Sequence, residues 1–428
     1  MLLTMVLWSI FSFAQTNEKI TLQQAITMSI KNSKKLTIAH AKVDEANAAI
    51  TEAKDRQLPD AKITGSYLRL SSANIDIKGA QGGGGSPNVN QALYGIANVT
   101  LPIYAGGKIK YGIESANYLA QAANLAEAND KEGIIYNTIL AYTNLYKAAN
   151  LVTVVKESLN AATKRDSTFS RLEQNGIIAR NDLLKAQLQT SNIELTLLEA
   201  QSNLTVANIN MNILLGLAEN TIIEVDTNFI QIKNNLPSFI DLENSALQNR
   251  KDLQAIGFQK KAATIGIKAA KAEAYPTIAL TGGYIAADIP KVISITNAVN
   301  IGLGVQYNLA NLWKRNTKLS QAKAKQTQID ATALMLQDGI KLQLNKDFQN
   351  YLLAQKKIDV YEKAIIQSTE NYRITKNKYD NNLVTITDLL DADVALLQSK
   401  LNMAVAKADV ALAYNKILET TGTLSNNN

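Results

Sequence analysis

Asp388 and Asp391 are the residues whose type and spacing most invite a chemical reading. Positions i and i+3 share a helix face, so both carboxylates point the same way. The plainer reading makes Asp388 a first-turn residue beside Leu389 that helps start a helix. Other chemistry-bearing types are scarce. There is no cysteine, which excludes disulfides, thiol chemistry and lipid attachment through an N-terminal cysteine. The single histidine, His40, makes no metal site alone, and Met28, Met211, Met335 and Met403 are too scattered for a thioether path. No GxSxG, HExxH or P-loop pattern occurs in a fitting context. The glycine run at 82–85 lacks the Lys-Ser/Thr and the helix start of a phosphate cradle. No catalytic residue, metal site or cofactor is expected, and the chain is not expected to be an enzyme. The formal charge of +7 comes from Lys and Arg interleaved with Asp and Glu in helical segments. It reads as solvated helix faces rather than a nucleic-acid surface.

The elements that would position such groups come in a duplicated chain. AKDRQLPDAKITGSY at 53–67 is answered 217 positions later by AKAEAYPTIALTGGY at 270–284. NGIIARNDLL at 175–184 is answered by NNLVTITDLL at 381–390, at an offset of 206. The first copy therefore carries 11 extra residues between Tyr67 and Val99. They include the GGGGSP run at 82–87, which reads as a flexible loop. A repeat of this size predicts one body of two halves rather than two or three ordinary domains.

All six prolines lie at 59, 87, 102, 237, 276 and 290. The proline-free stretches 103–236 and 291–428 are rich in Ala, Leu, Gln and Lys, with apolar residues every three or four positions. Each breaks once, at Asn175-Gly176 and at Asn381-Asn382, where both residue types tolerate left-handed backbone. Each stretch is thus expected to be a hairpin of two long helices, with tips near 175–180 and 381–386. A continuous helix from Lys108 to Gln174 would span on the order of 100 Å. Helices of that length must bury their stripes against similar neighbours, as coiled coils do. The tips place Ile177, Ile178, Leu383 and Val384 beside the turn residues, where exposed apolar side chains suggest docking.

Period-two alternation predicts strands at about 61–70, 93–103, 277–286 and 300–309, apolar on one face and small or polar on the other. Their length suits outer-membrane barrel strands, although two half-buried hairpins in a soluble domain would alternate too. Four strands cannot close a barrel, whose minimum is about eight, so if the apolar face meets lipid other chains must supply the rest; three copies would give twelve strands. Trp313 and several tyrosines near the strand ends could form an interfacial girdle. No internal segment is apolar for 18 residues, so a transmembrane helix is not expected. The apolar start MLLTMVLWSIFSFA ends in Ser12-Phe13-Ala14, with small residues at −3 and −1 of a cleavage site, so residues 1–14 are expected to be a signal peptide.

This ordered set resembles the TolC-type outer-membrane efflux protein family, the outer-membrane factors of tripartite efflux and type I secretion systems. It comprises the duplication, LPDAKITGSY and AYPTIALTGGY at the helix-to-strand junctions, LPIYAGGK at 101–108 and the two tips. The second copy departs from the LPIYAGGK pattern with LANLWK at 309–314. The resemblance implies a mainly α chain with a membrane β-barrel part. It implies a homotrimer in which duplicated helical hairpins form a periplasmic tunnel below a twelve-strand barrel in the outer membrane of a Gram-negative bacterium. The first repeat would cover 15–220, an equatorial linker 221–237 and the second repeat 238–428. Implied partners are outer-membrane lipid, a periplasmic adaptor (a membrane fusion protein) and an inner-membrane pump, with no nucleic acid. Asp388 and Asp391 match the acidic ring at the tunnel aperture, which would attract cations. Tyr379 and Asp182 match the contacts that hold the entrance closed. Val384 stands where the family has an arginine, and Lys185 replaces the second acid in the first copy. The adaptor would dock on the tip residues Asn175, Gly176, Ile177 and Ile178, and on Asn381, Asn382, Leu383 and Val384. The competing function is a soluble periplasmic coiled-coil structural or adaptor protein, which needs no lipid-facing strands.

Overall fold

The computed structural model describes residues 17–74, 88–226, 230, 236–290 and 292–426. The expected leader at 1–14, the loop at 82–87 and much of the 221–237 linker lie outside them. In chain order the elements are β1 (Asn17–Ile20), α1 (Leu22–Asn32), α2 (Lys34–Asp55), β2 (Asp60–Asn74), β3 (Asn88–Tyr104), α3 (Lys108–Gln174) and α4 (Arg180–Leu215). There follow β4 (Ile222–Val225), α5 (Phe239–Asn249), α6 (Lys251–Ala272), β5 (Thr277–Ile289), β6 (Ile293–Gln306), α7 (Thr317–Asp380) and α8 (Ile386–Thr420). The proline-free stretches become the four longest helices, α3, α4, α7 and α8, since nothing in them removes a backbone donor until the turn residues intervene. The chain divides into two compact units, residues 40–126 with 253–335 and residues 1–39 with 127–252 and 336–428.

The first of these units holds one antiparallel sheet in the order β2-β3-β5-β6. Its register aligns like with like across all four strands. Ile63, Ala97, Tyr284 and Val299 form one row, and Ala61, Val99, Gly282 and Ile301 a second. Between them, on the opposite face, lie Lys62, Asn98, Gly283 and Asn300. A Cβ at Gly283 would sit 2.9 Å from Asn98 Oδ1 and 3.0 Å from Asn300 Oδ1, so this polar row needs glycine. Among the described residues nothing covers the apolar face. Ile301 is 81% exposed, and Val299, Leu303 and Val305 are exposed beside it. A soluble domain would close its own core over such a face. Burying each side chain of this size is worth about 1.5–3 kcal/mol, so the isolated sheet is unsatisfied.

The junctions are tight. Gly106 and Gly107 both take left-handed backbone, at φ 63° and 89°, and a Cβ on Gly106 would strike Ala272 O at 2.8 Å. Strand β6 ends at Gln306 rather than 309. Asn308 Oδ1 accepts from Ala310 N at 3.1 Å and starts a single 3₁₀ turn at Leu309–Leu312.

In the helical unit, Ile222–Val225 pairs in parallel with Asn17–Ile20 as β4 and β1. Residues 222–225 are thus a strand within the expected linker. Asn208 Nδ2 donates to Thr221 O at 2.7 Å and its Oδ1 accepts from Ile223 N at 3.0 Å. Tyr142 of α3 lies beneath, fully buried. Its hydroxyl donates to Ile20 O at 2.7 Å and accepts from Asp226 N at 2.6 Å, so one group ties together the ends of both strands. Burial pushes the Tyr142 phenol up to about 12. The chain end is pinned in the same unit: Thr420 Oγ1 donates to buried Asp347 at 2.6 Å and Ser425 N donates to buried Glu132 at 3.2 Å.

Tyr142→Phe strands two buried backbone groups and should cost about 1–3 kcal/mol of stability in denaturant unfolding. The phenol's folded pKa lies above its ordinary value of 10, so its contribution is complete below pH 10 and disappears as the pH rises toward about 12. The Phe variant should lack that alkaline step.

Candidate functional site

The two hairpin tips are built alike. Gly176 and Asn382 both have positive φ, at 69° and 58°. Gly176 N donates to Glu173 O at 2.8 Å and Ile177 N to Leu172 O at 2.9 Å; Asn382 N donates to Tyr379 O at 2.9 Å and Leu383 N to Lys378 O at 2.8 Å. Each is the Schellman closure, which satisfies the last helix carbonyls and reverses the chain within a few residues. Asn175 and Asn381 are exposed at the turns, and Asn381 Nδ2 donates back to Asn377 O at 2.7 Å. Beneath both turns lies one apolar cluster of Phe169, Leu183, Ala186, Ile386, Leu389 and Leu390.

The expectation of four exposed apolar tip residues is corrected here. Ile177 and Leu383 project outward, 65% and 72% exposed. Ile178 packs against the cluster, and Val384 is half-buried. The residue after the left-handed one turns outward and the next turns back, so each tip presents one apolar side chain.

The acidic residues are placed differently in the two copies. In the second copy Thr385 caps α8. Asp388 N donates to Thr385 Oγ1 at 3.3 Å, while Asp388 Oδ2 accepts from Thr385 N at 2.8 Å and from its hydroxyl at 2.6 Å. This is a capping box with Asp at the third helical position. The Thr385 hydroxyl, then its backbone N–H, hold the Asp388 carboxyl below the usual carboxylate range. The first copy has Ala179 at the cap, which has no side chain to accept. Asp182 is therefore left to pair with Lys185 at 3.9 Å, and Lys185 Nζ also reaches Thr387 Oγ1 at 3.4 Å. Asp391 is exposed, at the repeat position of Lys185.

Tyr379 packs on Phe169 with ring centroids 5.6 Å apart. Burial, and then the nearby charges of Asp182 and Asp380, push its phenol up. The expected gate contacts thus share one neighbourhood, although the ion pair of Asp182 is with Lys185. One interaction had no forecast. Arg165 Nη1 meets Asp393 Oδ2 at 2.7 Å, with the side chains only 10% and 14% exposed. The repeat alignment held a signal for it, since Arg165 and Asp393 face Asn371 and Gln187 in the other copy. Trp313 belongs to the sheet unit and is 71% exposed just after the 3₁₀ turn.

Thr385→Ala should cost about 1 kcal/mol by removing the cap, and Ala179→Ser should recover a similar amount at the other tip. The Asp388 folded pKa is depressed, so its share is present above the ordinary carboxylate range and is lost as the pH falls through the lowered value. Acid unfolding of the Ala variant should lack this step.

Among the described residues, no group of three or more His, Asp or Glu is placed to hold a metal ion, and no helix is long and apolar enough to cross a membrane. Residues 25–217 and 242–423 match the outer membrane efflux protein family. The chain is 21% identical over 416 residues to the outer membrane efflux protein BepC of Brucella suis, covering 95% of this chain and 86% of that one. It is 21% identical over 439 residues to the outer membrane protein TolC of Escherichia coli, covering 97% and 85%. The fold superposes on the Campylobacter jejuni CmeC outer membrane channel with a TM-score of 0.78 at 18% identity, over 94% of this chain and 86% of that one. The two matched stretches take in both hairpins, and the chain belongs to the outer membrane efflux protein family, as an efflux channel of the Gram-negative outer membrane with a periplasmic extension.

Proposed function

We propose that three copies of this chain form a passive exit duct, each giving four strands to a twelve-strand barrel and two helical hairpins to a periplasmic tunnel. The observation that carries this reading is the four-stranded sheet with an uncovered apolar face and two open edges, β2 and β6. Lipid would cover the face, and neighbouring copies would pair the edges. The helices support the same assembly. Leu184, Leu188 and Leu195 of α4 and Leu342, Leu353 and Val360 of α7 stay exposed in one chain, as stripes that await neighbouring helices. The repeats 15–220 and 238–428 would then contribute two strands and one hairpin each, joined through 221–237.

At the tips, threefold symmetry would gather Asp388 and Asp391 of three copies around one aperture. The cap from Thr385 keeps Asp388 ionised against the repulsion of its neighbours. Tyr379 and Asp182 would meet across adjacent helices as the closing contacts, and Val384 offers no cation to lock them. Planar-bilayer conductance should be cation-selective and blocked by multivalent cations from the tip side. Asp388→Asn with Asp391→Asn should remove the block and weaken the selectivity. Full block and selectivity in that double variant would refute the acidic ring.

The duct would take its cargo from an inner-membrane pump through a periplasmic adaptor docked on the tips, with Ile177 and Leu383 as the apolar contacts. Ile177→Asp with Leu383→Asp should abolish export in cells while channel conductance in bilayers persists. Normal export in that variant would exclude docking through these side chains.

A further inference from the structure

The expectation that the basic excess is spread over solvated helix faces is corrected here, because the excess is concentrated. Residues 52–62, 108–114, 268–275 and 313–325 hold 12 Lys and Arg against five Asp and Glu, an excess equal to the +7 of the whole chain. All four stretches flank the places where helices meet the sheet, at the starts of β2 and β5 and the ends of β3 and β6. The register brings those ends together: Asp60 stands opposite Thr100, Tyr104 opposite Ile278 and Thr277 opposite Gln306. Lys54, Lys110, Lys271, Lys314 and Arg315 are exposed there and make no ion pair among the described residues. Lys54 and Lys271 occupy the same position in the two repeats.

Two further observations point to what this collar meets. The strands above it are poor in charge, and β5 and β6 together carry only Asp288. Exposed rings lie between the two zones: Tyr104, Tyr275, Tyr307 and Trp313. An apolar face, then aromatic rings, then cations is the order in which a bilayer presents acyl chains, interface and headgroups. Helix stability accounts for Lys54 and Lys271, in the last turns of α2 and α6, but not for the cations at the helix starts. The first turns of α3 and α7 hold Lys108, Lys110 and Lys318 and no acid, where the helix dipole favours the reverse.

We infer that this collar binds the headgroups of anionic phospholipids in the leaflet at the helix-bearing end of the sheet. The inference rests on the sheet's apolar face meeting lipid, and the test separates the two. In a Trp8→Phe background Trp313 is the one indole of the chain. The full chain would be reconstituted in vesicles containing brominated phosphatidylcholine or brominated phosphatidylglycerol, and quenching of Trp313 fluorescence would be read. Both lipids should quench, with phosphatidylglycerol associating about three- to ten-fold more strongly at low salt. The preference should shrink at about 0.5 M salt. Neutralising Lys54, Lys271, Lys314 and Arg315 together to Gln should bring the ratio toward one, with quenching by brominated phosphatidylcholine unchanged. Equal quenching by the two lipids at low salt, or a preference that survives the fourfold substitution, would overturn the collar and leave the lipid-facing sheet standing. No quenching by either lipid would strike both.

Discussion

An unpaired strand edge cannot be left in hydrocarbon, because each stranded N–H or C=O costs several kcal/mol there. The sheet of this chain has two such edges, β2 and β6, and an apolar face that none of the described residues covers. In water the same face forfeits about 1.5–3 kcal/mol for each large side chain. Neither phase suits one copy alone. A closed barrel shared among copies resolves both problems, since closure pairs the edges and lipid takes the face. The exposed stripes of α4 and α7 follow the same logic along the helices.

Duplication gives each chain two similar hairpins whose tips differ in detail. Both turns close with the same hydrogen bonds at Gly176 and Asn382. The second start has Thr385, which binds and acidifies Asp388; the first has Ala179, which leaves Asp182 to Lys185. A pair of one acid and one lysine is near neutral, whereas Asp388 with Asp391 is doubly negative. The half-buried Arg165–Asp393 pair sits where the other copy has only Asn371 and Gln187. Removing one partner would leave a largely desolvated charge uncompensated, so the pair fixes how α3 lies against α8 near the tip.

Much of this was legible in the sequence, for reasons of period and composition. The proline-free stretches and their Asn and Gly interruptions locate the four hairpin helices, because both signals are local. Strict alternation reveals the strands, though β6 stops short at Gln306 because Asn308 caps a turn that alternation cannot register. Strand β4 escaped because four residues carry too little pattern and their partner, β1, lies about two hundred positions away. The inward turn of Ile178 escaped because turn residues announce a left-handed backbone without saying which side chain folds back. Arg165 and Asp393 are 228 residues apart, and only packing brings them together.

The central claim is that the sheet is one third of a closed barrel. The direct measurement is the protein mass of the particle extracted from membranes, with bound detergent subtracted. Three chain masses in a particle that needs detergent to stay dispersed is the predicted result. A single chain mass, stable in water without detergent, would contradict it.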